Sequence, residues 1–167
     1  MNNLKSRRAF IVGLSSTKIT NKERLFLRKY KPWGVILFAR NIKSVDQTKK
    51  LTNDIKKIFK DSKYPILIDE EGGMVTRIRS IIDNSHFPAK YFGDNYKKDK
   101  TKSLLYLRTY IKQISHLLRY MGISINTVPV LDIPRPFTSK VIGTRAISKD
   151  INVINKIGEK TIEHFHA

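Results

Sequence analysis

The chain has 167 residues, and its 33 Lys and Arg against 14 Asp and Glu give a formal charge of +19; it has no cysteine and is 40% apolar. Residues 1–167 suit one domain with a real core, and the missing cysteines exclude a disulfide scaffold, thiol catalysis and Cys-ligated zinc. The apolar share is too high for a disordered basic tail, and no apolar run reaches the roughly 18 residues of a membrane span. A basic start, Lys5-Ser6-Arg7-Arg8, precedes only six residues of apolar character, Ala9 to Leu14. That is short of the roughly 7 to 15 of a secretion signal, so a soluble, cytoplasmic protein is expected.

Ala9-Phe10-Ile11-Val12-Gly13-Leu14 is short, continuous and partly β-branched, which predicts a strand buried on both faces. Thr20 and Glu23 stand at capping-box spacing ahead of Leu25, Phe26 and Leu27, so a helix is expected to run to about Tyr30 and stop at Pro32. Gly34 to Ala39 reads as a second buried strand. Ser44 and Gln47 then open a second helix with another capping box. Val45, Leu51, Ile55, Ile58 and Phe59 form its apolar stripe, and Lys49, Lys50, Lys56, Lys57 and Lys60 its solvated face.

Pro65 to Asp69 is the third predicted strand, running into Glu70-Glu71-Gly72-Gly73. A loop containing His86, Pro88 and Gly93 leads to a long helix from about Lys100 to Met121, closed by Gly122 as its C′ residue. A fourth strand is expected from about Ser124 to Leu131, then a loop with Pro134, Pro136 and Gly143. A last helix carries Ile151, Ile154, Ile157, Thr161, Ile162 and Phe165 on one side.

The β-α alternation, four times over, implies an α/β fold with parallel strands and right-handed crossovers. Two architectures fit: a small doubly wound sheet, or the N-terminal half (about four β/α units) of a (β/α)8 TIM-type barrel. In both, chemistry sits at the C-terminal ends of the strands. That rule selects Arg40-Asn41, Asp69 to Gly73, and Asp132.

A carboxylate held at Asp69 can accept sugar hydroxyls, act as a base, bind a metal, or simply pair with a nearby Arg. Glu71, before two glycines, is expected to satisfy backbone N–H groups. Arg77, Arg79 and Arg145 are suited to bidentate or hydroxyl recognition at a pocket rim, although such arginines are commonly surface or ion-pair groups. No G-x-G-x-x-G opens a helix after a strand, and there is no phosphate loop or G-x-S-x-G elbow near Ser15 and Ser16. His86, His116, His164 and His166 make no metal pattern, so no metal and no cofactor is expected.

The charge has two readings. Lys and Arg that neutralise phosphates would suit a nucleic acid. Yet 22 Lys, 22 Ile and 10 Asn beside 5 Ala match the codons of an AT-rich genome, and the lysines are spread along the chain. An RNA-binding α/β module requires cations gathered on one face with aromatics among them, which the sequence does not display clearly. Nucleic-acid and membrane partners are therefore not expected, with polyanion binding kept as the rival reading.

Four segments in register resemble glycoside hydrolase family 3, specifically its bacterial cytoplasmic β-N-acetylhexosaminidases. They are Gly34 to Asn41, Ile68-Asp69-Glu70-Glu71-Gly72-Gly73-Met74-Val75-Thr76-Arg77, Asn126 to Ile133, and Val141-Ile142-Gly143-Thr144-Arg145-Ala146. Glu70 departs from the Gln usual in the family, with little consequence expected. The resemblance implies a (β/α)8 barrel that removes terminal N-acetylglucosamine from peptidoglycan fragments in cell-wall recycling. It implies that Asp69 accepts hydrogen bonds from sugar hydroxyls and that Arg77 and Arg145 complete the clamp.

The resemblance also implies a retaining mechanism, with an Asp nucleophile and a His acid/base held about 5–5.5 Å apart across the scissile bond. The family's Lys-His-x-Pro-Gly-His-Gly segment would begin just past residue 167, and the nucleophile later still. No catalytic residue is therefore assigned here, and His164 and His166 fall before that segment. The expectation is a truncated hydrolase, inactive alone, whose open strand edges need a complementary second half or self-association. A sugar-binding remnant is the other outcome of the same resemblance.

Overall fold

The computed structural model describes residues 7–166, so Lys5 and Ser6 of the basic start lie outside the described residues. Four strands alternate with five helices. They are β1 (Arg8–Gly13), α1 (Asn21–Tyr30), β2 (Pro32–Leu37), α2 (Val45–Phe59), β3 (Ile66–Ile68), α3 (Ala89–Lys98), α4 (Lys100–Tyr120), β4 (Ile125–Asn126) and α5 (Ile151–His166). The chain divides into two compact units. Among the described residues, one holds 7–69, 77–82 and 118–126; the other holds 70–76, 83–117 and 127–166.

The first unit contains the whole sheet. Its strands pair in parallel in the order β1-β2-β3-β4, with Val35 opposite Ile66 and Leu67 opposite Ile125. Each strand lies beside its successor, without the reversal of order that marks a doubly wound sheet, so the barrel-type alternative holds. Val35, Leu37, Ile66 and Ile68 are buried along with Leu27, Ile55 and Met121.

The helix caps follow the sequence. Thr20 Oγ1 accepts from Glu23 N at 3.2 Å while Glu23 Oε2 accepts from Thr20 N at 2.8 Å, a complete capping box on α1. On α2 only half of the expected box forms. Ser44 Oγ accepts from Gln47 N, but the Gln47 side chain accepts from Lys43 N instead of returning to the cap.

Three expectations are corrected. β1 is not buried on both faces: it stands at the sheet edge beside β2 alone among the described strands, and Ile11 is 45% exposed. β4 covers two residues rather than eight, because irregular chain with Pro129 takes over at residue 127 and proline cannot donate to a strand ladder. Asp132 consequently lies in that irregular segment, exposed, and not at a strand end. Residues expected as loop form α3, which starts directly after Pro88 and carries Gly93 in its middle.

In the second unit α3, α4 and α5 pack around Phe92, Leu107, Ile111, Ile147, Val153, Ile154 and Ile157. Gly93 is needed there because a Cβ would come within 2.0 Å of the Ile147 carbonyl oxygen. No helix among the described residues is long and apolar enough to cross a membrane.

Candidate active site

In the first unit the strand ends gather polar and cationic groups. Phe38 follows β2, and its ring receives two guanidinium groups, with the Arg40 carbon 4.6 Å and the Arg77 carbon 5.6 Å from the centroid. Arg40 is aimed by a hydrogen bond from Nε to the Leu14 carbonyl at 2.8 Å. Buried Asn41 ties the same rim together, its Nδ2 donating to the carbonyls of Leu14 and Ser16 and its Oδ1 accepting from Phe38 N.

Asp69 follows directly on β3, and Arg77 Nη2 donates to its Oδ2 at 3.4 Å. Both side chains are about one-quarter exposed, so the pair is held by the fold yet remains reachable from solvent. A carboxylate and a guanidinium in this posture can accept from, and donate to, adjacent hydroxyls of one small polar ligand. Arg79 is exposed.

In the second unit residues 70–76 form a tight reversal, with Glu71 N donating to Val75 O and a bridge between Gly72 and Val75. Glu70 is buried and accepts from Asn84 Nδ2 and Thr76 Oγ1, both at 3.3 Å. The two donors reach different oxygens, Oε2 for Thr76 and Oε1 for Asn84, so a Gln there could accept only at its one carbonyl oxygen, whereas Glu accepts at both and brings a charge. Burial, and after it the Glu70 charge, hold the Tyr110 phenol well above its ordinary value.

Glu71 does not serve backbone N–H groups as expected. Its two carboxylate oxygens accept from Arg145 Nε at 2.8 Å and Nη2 at 2.9 Å, a bidentate ion pair. Sequence reading missed this pairing of two residues it had treated separately. The same unit holds a cavity of about 50 Å³ lined by Glu70, Glu71, Tyr110 and Arg145 among apolar side chains. That is about the room of one or two waters, not of a sugar ring.

Of the sequence-selected residues, Asp69 and Arg77 are in contact within the first unit, and Arg145 is clasped by Glu71 in the second. His86, His116 and His166 are exposed and spread over different elements. Burial, and the positive charge of Arg108, Lys160 and Lys112 against the opposing charge of Glu163, hold the His164 imidazole below its ordinary value.

A parallel sheet in sequential order, with carboxylate and guanidinium groups at its strand exits, places the chain in the (β/α)-barrel class. Residues 3–167 match the family described as Glycosyl hydrolase family 3 N terminal domain, and the chain belongs to that family. A Beta-hexosaminidase of Xanthomonas campestris pv. campestris is 29% identical over 157 residues, covering 94% of this chain and 46% of its own length. Beta-hexosaminidase A of Pseudoalteromonas piscicida is 30% identical over 145 residues, 84% of this chain and 24% of its own length.

Among solved structures, NagZ of Neisseria gonorrhoeae in complex with zinc ion superposes with a TM-score of 0.86 at 23% identity, over 96% of this chain and 48% of that one. The same protein in complex with N-trifluoroacetyl-D-glucosamine gives 0.84. The fold is thus that of the N-terminal portion of these hydrolases, and the chain spans about half the length of the Xanthomonas relative.

Proposed function

We propose that this chain is the sugar-binding half of a glycoside hydrolase of the β-N-acetylhexosaminidase type, acting on terminal N-acetylglucosamine of peptidoglycan fragments in the cytoplasm. The observation that carries the reading is the Asp69–Arg77 pair at the exit of β3. Asp69 accepts hydrogen bonds from ring hydroxyls, and Arg77 holds the carboxylate in place and donates to the same sugar. The gonococcal homologue bound to an N-acetylglucosamine analogue supports the substrate class.

We place the acid/base and the nucleophile in the part of the longer relatives that this chain does not match, about half of their length, so catalysis needs that second half as well. The open edges support this, since β1 pairs only with β2 and β4 only with β3 among the described strands. Exposed Leu131, Ile133, Phe137 and Val141 after β4 are apolar surface that such a half would cover. Turnover of a chromogenic N-acetylglucosaminide tests the reading. The 167-residue chain alone gives none, and the chain extended with the C-terminal part of the Xanthomonas relative gives turnover that Asp69→Ala abolishes. Turnover by the chain alone, or by the extended Asp69→Ala variant, contradicts it.

A further inference from the structure

The sheet-bearing unit holds most of the charge, and codon usage does not explain the imbalance. Among the described residues the two units carry similar numbers of lysines, 11 and 10, as a genomic bias would give. They differ in arginine, 8 against 3, and in acids, 5 against 9, so one unit has a net +14 and the other +4.

Within the first unit the cations sit at one end of the sheet. In parallel β/α chain the end of each helix adjoins the start of the next strand. The segments entering the strands are therefore 7–8, 28–32, 56–65 and 119–124, and together they hold ten cations and one acid. The strand-exit segments, 14–20, 38–46, 69 and 77–82, hold five cations and two acids. Eight of the ten entry-side cations are exposed: Arg8, Arg28, Lys29, Lys31, Lys57, Lys60, Lys63 and Arg119. The single acid, Asp61, is already paired with Arg7, whose side chain is nearly buried.

A preference for bases in the last helical turn accounts for Arg28, Lys29, Lys56 and Lys57. The same end of the dipole favours a cation at the caps Lys31 and Lys60, but there it competes with the backbone. These two C-caps are the non-glycine residues of positive φ among those described, at 47° and 50°, a conformation in which Gly or Asn is favoured. Asn is as AT-rich in its codons as Lys and would be less strained, so codon bias alone does not select Lys at these caps. Aromatics lie among the cations. The Tyr30 ring has Arg8 at 5.5 Å and Lys29 at 5.2 Å; Tyr120, 58% exposed, follows Arg119, and its ring also has Lys49 of α2, outside the entry segments, 3.9 Å from its centroid.

We propose that this strand-entry rim binds single-stranded nucleic acid, with phosphates on the eight exposed cations and a base on Tyr120. Clustered cations with an exposed aromatic among them are the arrangement such strands require. The surface is at the opposite end of the strands from Asp69, so the inference is independent of the hydrolase reading.

Fluorescence anisotropy of the full chain with a labelled oligouridylate of about 16 nucleotides tests it. If half of the exposed cations each neutralise a phosphate, affinity falls about 50-fold between about 50 and 200 mM salt. Lys57→Glu, Lys60→Glu and Lys63→Glu together weaken binding by about tenfold or more, while Lys97→Glu, Lys98→Glu and Lys112→Glu in the other unit change it less than about twofold. Lys31→Asn with Lys60→Asn weakens binding while raising the unfolding midpoint, a pair of shifts that damage to the fold cannot imitate. Equal loss from the two charge-reversed triples, no binding at the lower salt, or capture by phosphatidylserine vesicles but not by the oligonucleotide would overturn the proposal.

Discussion

Arg145 clasps Glu71 through two parallel hydrogen bonds, Nε to Oε2 at 2.8 Å and Nη2 to Oε1 at 2.9 Å, joining residues 74 apart in sequence. The Glu71 side chain is only 9% exposed, so the carboxylate has given up most of its water for this partner. Charge-assisted bidentate contacts of this kind are strong, and a partner stranded by truncation loses the bonds without recovering its hydration. Glu71→Ala is expected to cost about 2 kcal/mol in urea unfolding. Arg145→Lys recovers little, since an ammonium cannot span both oxygens. The exposed Lys102–Asp99 pair, cut by Lys102→Ala, should cost under about 0.5 kcal/mol.

The reversal that carries Glu71 depends on Gly72. Its φ is +76°, and an added Cβ would lie 2.4 Å from the Phe87 carbonyl oxygen and 2.8 Å from the Tyr110 hydroxyl. Gly72→Ala therefore combines backbone strain with a backbone clash and should cost about 3 kcal/mol or more. Gly143 is the control: φ is +43°, but nothing lies within 4 Å of its added Cβ. Gly143→Ala should cost only the left-handed penalty, about 1 kcal/mol. Equal losses in thermal unfolding would show that the clash at Gly72 is relieved by movement.

The α1 capping box gives an acid dependence with a definite sign. Burial acts to raise the Glu23 carboxyl, but hydrogen bonds from Thr20 and Ser15 outweigh it and hold the group below its ordinary value of 4.5. Its contribution is therefore fully present above the unfolded value and is lost as pH falls through the lower folded one. Glu23→Gln should remove stability at neutral pH and flatten the stability profile below about pH 4.5, measured by urea unfolding across pH. Thr20→Ala, which removes the other half of the box, should cost about 1 kcal/mol.

Local chemistry made the caps legible: Thr20 and Glu23 are three residues apart, and only short-range geometry is involved. Gly122 likewise closes α4 with φ +82°, as its place after Met121 suggests. Readings that depend on distant chain fared differently. The β1 sequence has the composition of a doubly buried strand, and its exposure comes from its place at the sheet edge, which composition does not encode. Gly93 and Pro88 made α3 look like loop, because the carbonyl of Ile147 that requires the glycine is 54 residues away. Asp69 stands out by its strand-end position and Arg77 by its motif, and the structure brings the two into contact. The Glu71–Arg145 pair does not stand out, since nothing local in either segment names its partner.

If Asp69 and Arg77 form the sugar-binding core of this half, a calorimetric titration with N-acetylglucosamine reads it out. The wild-type chain should bind weakly and measurably, Asp69→Ala should abolish the signal, and Arg77→Ala should weaken it about tenfold or more, the loss of a charged hydrogen bond. The distant Lys57→Glu variant should bind like wild type. Unchanged binding in Asp69→Ala, or no binding by a wild-type chain whose unfolding shows it to be folded, would mean that this pair does not hold the sugar.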